Sequence, residues 1–369
     1  MMKPNRLARV LLLLLALSLL ILGLAAGLMR LGWNLSWTQP KLASDHGPLM
    51  VCGFLGTLIS LERAVALGRK WAYLAPLLAA IGSIDLVAGS FVTIGILLIV
   101  LASVVLACIF IAVLFKQPSF HSTTMGLGAG AWIAGNVLWI AGVGIPHMIH
   151  WWIGFLILTI AGERLELNRL LAPARHARSI FASGLILFLA GLICASIFPI
   201  AGDRVAGGGM LALALWLARF DVARFTVRQP GLPRFIAANL LAGYVWLAVG
   251  GLIWLFAVPI ERLGNPYLLV YDAMIHSIFL GFVFSMIFAH APIIFPAVVG
   301  RPMAFRRFFY AHAVVLHVSL IARVASDLTR SFVAFRWAGL GNLLAVLLFF
   351  ASSVYGMIAA RRATRLSPA

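Results

Sequence analysis

The chain has 369 residues, 63% of them hydrophobic and only 10% charged, with a mean hydropathy of +1.07. So little polar surface excludes a water-soluble domain, whereas a bilayer demands an apolar exterior. Lys and Arg outnumber Asp and Glu by 28 to 10, giving a net charge of +18. The cations fall in short clusters between apolar runs rather than on one basic face, which excludes a nucleic-acid surface and fits the loops of a polytopic protein.

A bilayer core takes about twenty residues of helix. Twelve runs qualify: 8–29, 45–66, 71–89, 91–115, 122–144, 146–165, 179–201, 205–220, 235–258, 267–290, 308–326 and 334–360. The chain is therefore expected to be all-α, a single transmembrane domain over 1–369 with about twelve helices. Lys3, Arg6 and Arg9 precede the first run as in a signal peptide. That run is too long for a signal h-region and lacks a small-x-small cleavage site, so it reads as an uncleaved helix. In the fifth run, Gly126 and Gly130 have the spacing of close helix packing. The eighth run is short and carries Gly207, Gly208 and Gly209.

With the amino terminus inside, 21 of the 28 Lys and Arg fall on one side or its helix ends. They include Arg69, Lys70, Lys116, Arg175, Arg228, Arg306 and the tail arginines Arg361, Arg362 and Arg365. The bias puts both termini in the cytoplasm, and the connections near Trp37 and Asn265 outside. No connection exceeds about 17 residues, leaving no soluble catalytic domain. Cys52, Cys108 and Cys194 lie inside apolar runs and read as packing residues rather than a disulfide framework.

The second and sixth runs share a pattern at a constant offset of 101: His46/His147, Gly53-Phe54-Leu55/Gly154-Phe155-Leu156 and Glu62-Arg63/Glu163-Arg164. The tenth gives a third, looser copy, with Gly281-Phe282, His290 in the glutamate position and His276 five residues before the glycine. Marked runs two, six and ten imply a four-helix unit used three times, approximately 8–116, 121–225 and 235–362.

Seven residues is two helical turns, about 10 Å. His46 and His147 are thus expected near the outer boundary and His276 deeper, with His150 one turn from His147. Glu62, Arg63, Glu163 and Arg164 mark the inner ends, as anchors or as a proton path. An intramembrane histidine is costly and usually faces the bundle interior. Asp272, at i−4 from His276, and Asp45, beside His46, are placed to orient those rings. Neutral imidazole ligates both haem iron and copper. His290 and His312 form a second candidate haem or metal pair; His317, about 140° around the helix from His312, does not share its face. His121 and His176 fall in cytoplasmic connections.

Twelve helices in three groups, with histidines on the second, sixth and tenth, resemble subunit I of the haem–copper oxidases. The chain looks closer still to the NnrS family of haem- and copper-containing bacterial membrane proteins associated with nitric oxide and nitrosative stress. The stretch from His46 to Phe54, His276 through His290, and the turn Gly300-Arg301-Pro302 followed by a helix ending Ala322-Arg323-Val324 carry that resemblance. The seventh run has no histidine where oxidases place two copper ligands, so the resemblance implies one haem, with or without copper, rather than a binuclear centre. It further implies a bacterial inner-membrane location, with nitric oxide or another small gas and a redox partner as partners; the repeated histidines themselves point to haem ligation by His46 and His276, with copper or pocket completion by His147 or His150. Two other readings of the same residues stand beside it: a proton-coupled small-solute transporter, and a non-catalytic subunit of a membrane redox complex.

Overall fold

The computed structural model describes residues 6–168, 175–256, 267–300 and 302–366; Lys3, Arg169, Arg262, Asn265 and Arg301 lie outside them. Among the described residues there is no strand, and the fold is all-α. In chain order the long helices are α1 (Arg6–Arg30), α2 (46–67), α3 (Lys70–Ala88), α4 (Val92–Lys116), α5 (Phe120–Ile140) and α6 (Ile145–Asn168). They continue as α7 (Arg175–Ala195), α8 (Pro199–Phe220), α9 (Leu232–Phe256), α10 (267–299), α11 (Phe309–Thr329) and α12 (Phe332–Leu366). Eleven of them are long and apolar enough to cross a membrane; α5, with its run of glycine, serine and threonine, is not in that set. The protein is a polytopic helical membrane protein.

The outward faces fit a lipid surround. On α4, Ile94, Leu97, Leu101, Val104 and Ile111 are all exposed, while Gly95, Ala102 and Ser103 are buried. An apolar outside over a small, partly polar inside is the arrangement lipid selects, because tails and Leu side chains are equally apolar and helices associate through close packing instead.

By contact density the chain divides into two compact units, 1–163 and 164–369, a division that cuts across the expected four-helix groups. In the first, Leu19 and Ala26 of α1, Leu49 of α2 and Ala80 of α3 form one buried cluster with Leu42. Gly82 of α3 and Gly95 of α4 meet backbone to backbone: a methyl group on Gly82 would lie 2.5 Å from the Gly95 carbonyl oxygen. α5 lies against α6 through Gly128, whose added Cβ would sit 2.9 Å from Phe155 O, and Gly135, 2.7 Å from the Trp152 ring. Gly130 meets nothing within 4 Å, so the expected Gly126–Gly130 contact is replaced by a Gly128–Gly135 stripe one helix face away.

In the second unit α8 is held between α7 and α9. A Cβ on Gly209 would fall 2.4 Å from Phe188 N, and one on Gly207 would fall 2.5 Å from Leu255 N. The glycines that made this segment look weak are the ones that let it pack on both sides. Its start is earlier than the expected 205: α7 stops at Ala195, and Pro199 opens α8 at the first helical position, where its missing N–H costs nothing.

α2 and α10 share a local departure. Leu49–Gly56 and Ser277–Phe284 are π-helical, eight residues each, with Gly53 and Gly281 at the fifth position of their segments. The wider turn is rare and recurs at functional sites. In α6 the corresponding residues are regular α-helix.

Candidate cofactor-binding histidines

His46 opens α2, and its Nδ1 lies 2.7 Å from the Gly23 carbonyl oxygen on α1. That oxygen only accepts, so Nδ1 carries the ring proton and Nε2 the lone pair. The imidazole rests on Gly27, where an added Cβ would come within 2.9 Å of Cε1. Asp45, the residue at the helix start, is half-buried and caps no backbone N–H with its side chain. The orienting acceptor for His46 is therefore a backbone carbonyl on a different helix, which sequence adjacency does not reveal. His147 is exposed near Gly144, and His150 is buried against Trp151.

In the second unit, His276 Nδ1 lies 3.1 Å from Asp272 Oδ2 and 3.0 Å from the Asp272 carbonyl oxygen. The pairing fixes the same tautomer as at His46 and holds the ring in place. Asp272 also receives a fork from Arg323 of α11, Nε to Oδ2 at 2.8 Å and Nη2 to Oδ1 at 3.0 Å. One turn along α11 sits Asp327, 2% exposed, neither of whose oxygens has a hydrogen-bond partner. Two carboxylates, Asp272 and Asp327, thus stand against the one guanidinium of Arg323, an excess of acidic groups in a buried place.

His290 donates from Nδ1 to Met286 O at 2.8 Å, and its Nε2 accepts from Arg164 Nη1 at 3.4 Å. His312 is 2% exposed, with its ring between Phe288 (4.6 Å between centroids), Phe349 (5.4 Å) and Phe235 (5.9 Å). Ser352 directs its hydroxyl hydrogen at Phe349 O (2.9 Å), so its oxygen accepts from His312 Nδ1 at 3.1 Å. His312 Nε2 is then a buried lone pair with no partner. His317 is the opposite case: the Trp246 indole N–H, which can only donate, points at Nδ1 (3.1 Å), so Nε2 bears the proton.

The two Glu-Arg pairs, alike in sequence, take different partners. Arg63 bridges Glu62 (3.1 Å) and Glu163. Arg164 forms a buried fork with Asp221, both contacts 2.8 Å, and Asp221 also accepts the Ala223 N–H at 2.7 Å. One relation is preserved. Arg63 stands ten residues after Gly53 and reaches the residue nine after Gly154; Arg164 stands ten after Gly154 and reaches the residue nine after Gly281.

Among the described residues no group of three or more His, Cys, Asp or Glu is arranged to hold a metal ion. A haem needs only one or two imidazoles from the protein. Asp221, Arg323, Asp327, Ser352 and the Phe cage did not emerge from the sequence as site residues. Arg323 and Asp327 left a signal, two charges four residues apart at the end of an apolar run; Ser352 and the phenylalanines left none.

These features define a class, polytopic helical membrane proteins with oriented histidines inside the helices. Within it, the chain belongs to a family described as a domain of unknown function, DUF8744, whose model matches residues 8–358. No curated protein matches the chain significantly, and no solved structure does.

Proposed function

We propose that the protein binds haem through intramembrane histidines and handles or senses nitric oxide or a related small gas, with copper as a second cofactor. The tautomers carry this reading. Each of His46, His276 and His312 has Nδ1 tied to an acceptor, which leaves Nε2 as the nitrogen with the lone pair, the form an iron ligand requires; that of His290 is engaged by Arg164. His312 Nε2, buried without a partner, is the kind of orphan a missing ligand would satisfy. His46 and His276 would each offer haem iron one imidazole, with Gly23 O and Asp272 fixing the respective rings. Haem would supply an exchangeable coordination position for the gas. Exposed His147 and buried His150 offer copper two imidazoles about one turn apart on α6. The triple use of a four-helix unit belongs to the same proposal, supported by the matching π-segments of α2 and α10 and the conserved Arg-to-next-repeat relation.

Purified protein from haem-replete cells should show a Soret band, which His46→Ala and His276→Ala each shift or abolish at near-normal expression. His317→Ala, the wrong tautomer for ligation, should leave it unchanged. A colourless wild-type protein sinks the proposal. A second reading, proton-coupled solute transport, is favoured by the excess of acidic groups at Asp272, Arg323 and Asp327, since ionisable groups inside a membrane mark proton and ion paths. Substrate-driven pH change in proteoliposomes of the colourless protein would establish it instead.

A further inference from the structure

A groove of about 450 Å³ runs between α1 and α3, lined by Ala8, Leu11, Leu12, Leu15, Tyr73 and Leu77, with Lys70 at its mouth. Its wall from Ala8 to Leu15 covers two turns, about 10 Å of depth at 1.5 Å per residue. Leu11 and Leu77 are 51% and 39% exposed, so the groove opens on the outward face of the first unit. Below the mouth the walls are apolar throughout; at the mouth the chemistry changes. Lys70 is exposed, the Tyr73 hydroxyl is near it in sequence, and Trp71 is 40% exposed beside them. Exposed Trp and Tyr at a helix end mark the level of the lipid headgroups.

α3 starts with a four-residue 3-10 turn, Lys70–Tyr73, directly after Arg69. Lys70 and the exposed Arg69 add two full positive charges at the same point. Glu62, the nearest carboxylate in sequence, is engaged by Arg63.

We propose that this groove binds one acyl chain of an anionic membrane phospholipid, with the phosphate at Lys70 and Tyr73. The apolar walls select a hydrocarbon chain, and the cations at the mouth select an anionic headgroup over a zwitterionic one. Basic residues between helices at the cytoplasmic boundary are suited to such headgroups. The site is independent of the histidines and of the haem reading.

The test is native mass spectrometry of the full chain in detergent, titrated with phosphatidylglycerol or phosphatidylcholine of identical acyl chains. Wild-type protein should retain phosphatidylglycerol preferentially. One cation near the membrane surface contributes about 1 kcal/mol, so Lys70→Ala should weaken phosphatidylglycerol retention about fivefold while Lys70→Arg preserves it. Leu77→Trp should block both lipids by filling the groove, and Leu11→Trp does the same from the opposite wall if the first variant does not fold. Equal retention of the two lipids by wild type overturns the headgroup assignment. Unchanged retention in both tryptophan variants overturns the groove. Displacement of the lipid by millimolar inorganic phosphate would show an anion site without an acyl chain, and also overturns the proposal.

Discussion

At the scale of single residues, the second unit turns on where its buried charges end. Arg323 is 6% exposed and its guanidinium is committed to Asp272. Arg323→Leu removes the compensation from a buried carboxylate and should cost about 3–5 kcal/mol. Asp327→Asn removes the second of two carboxylates set against one guanidinium, and should be neutral or stabilising. Thermal melts in one detergent compare the two; a larger loss for Asp327→Asn would mean that its carboxylate is paired and ionised. In the first unit, Gly27→Ala drives a methyl group into the His46 ring. The expected result is a displaced or weakened Soret band at normal expression, and an unchanged spectrum would separate His46 from the haem. The residue types of this site were legible in the sequence, since histidines inside apolar runs are conspicuous. Their partners were not: Gly23 O, Ser352 and Arg323 come from helices far away in the chain, and no local spacing encodes a contact between two helices.

At the scale of helices, glycine decides how closely neighbours approach. Nothing but packing and a few polar contacts joins helices in lipid, so backbone proximity is a large part of the attraction. Gly209→Ala would place Cβ 2.4 Å from Phe188 N, a backbone atom that cannot swing aside. Overpacking of this kind costs about 1–3 kcal/mol or more. Gly130→Ala meets nothing and should be neutral, or stabilising by up to about 1 kcal/mol through helix propensity. Melting both variants checks it; equal behaviour would refute the close α7–α8 contact. Most helix boundaries could be read from apolar length; of the twelve expected spans, eleven are long and apolar enough among the described residues. The choice between Gly126–Gly130 and Gly128–Gly135 could not, because small-residue spacing occurs on several faces of α5 and only the partner selects one. The π-segments were equally hidden, for a wider turn leaves the composition of α2 and α10 unchanged.

At the scale of the whole molecule, the distribution of cations proposes an orientation: connections near Lys116, Arg228 and Arg306 inside, that near Trp37 outside. Single cysteines at these positions, in a chain lacking Cys52, Cys108 and Cys194, should react with an impermeant thiol reagent in intact cells only at Trp37. Labelling at Lys116 and Arg228 instead would invert the map. Hydropathy and charge bias are summed over many residues, which is why they survive without coordinates.

The sequence by itself determined that this is an all-α polytopic membrane protein, because burial in lipid forces long apolar helices whatever their neighbours are. It also determined which segments resemble one another, through the constant offset that links His46, Gly53 and Glu62 to His147, Gly154 and Glu163. Only the tertiary structure decided that the matching arginines diverge, Arg63 to Glu163 and Arg164 to Asp221. It alone decided which nitrogen of each histidine is basic. Both outcomes depend on a hydrogen-bond acceptor brought from another part of the chain, and hydrogen bonds act over about 3 Å in space, not along the sequence.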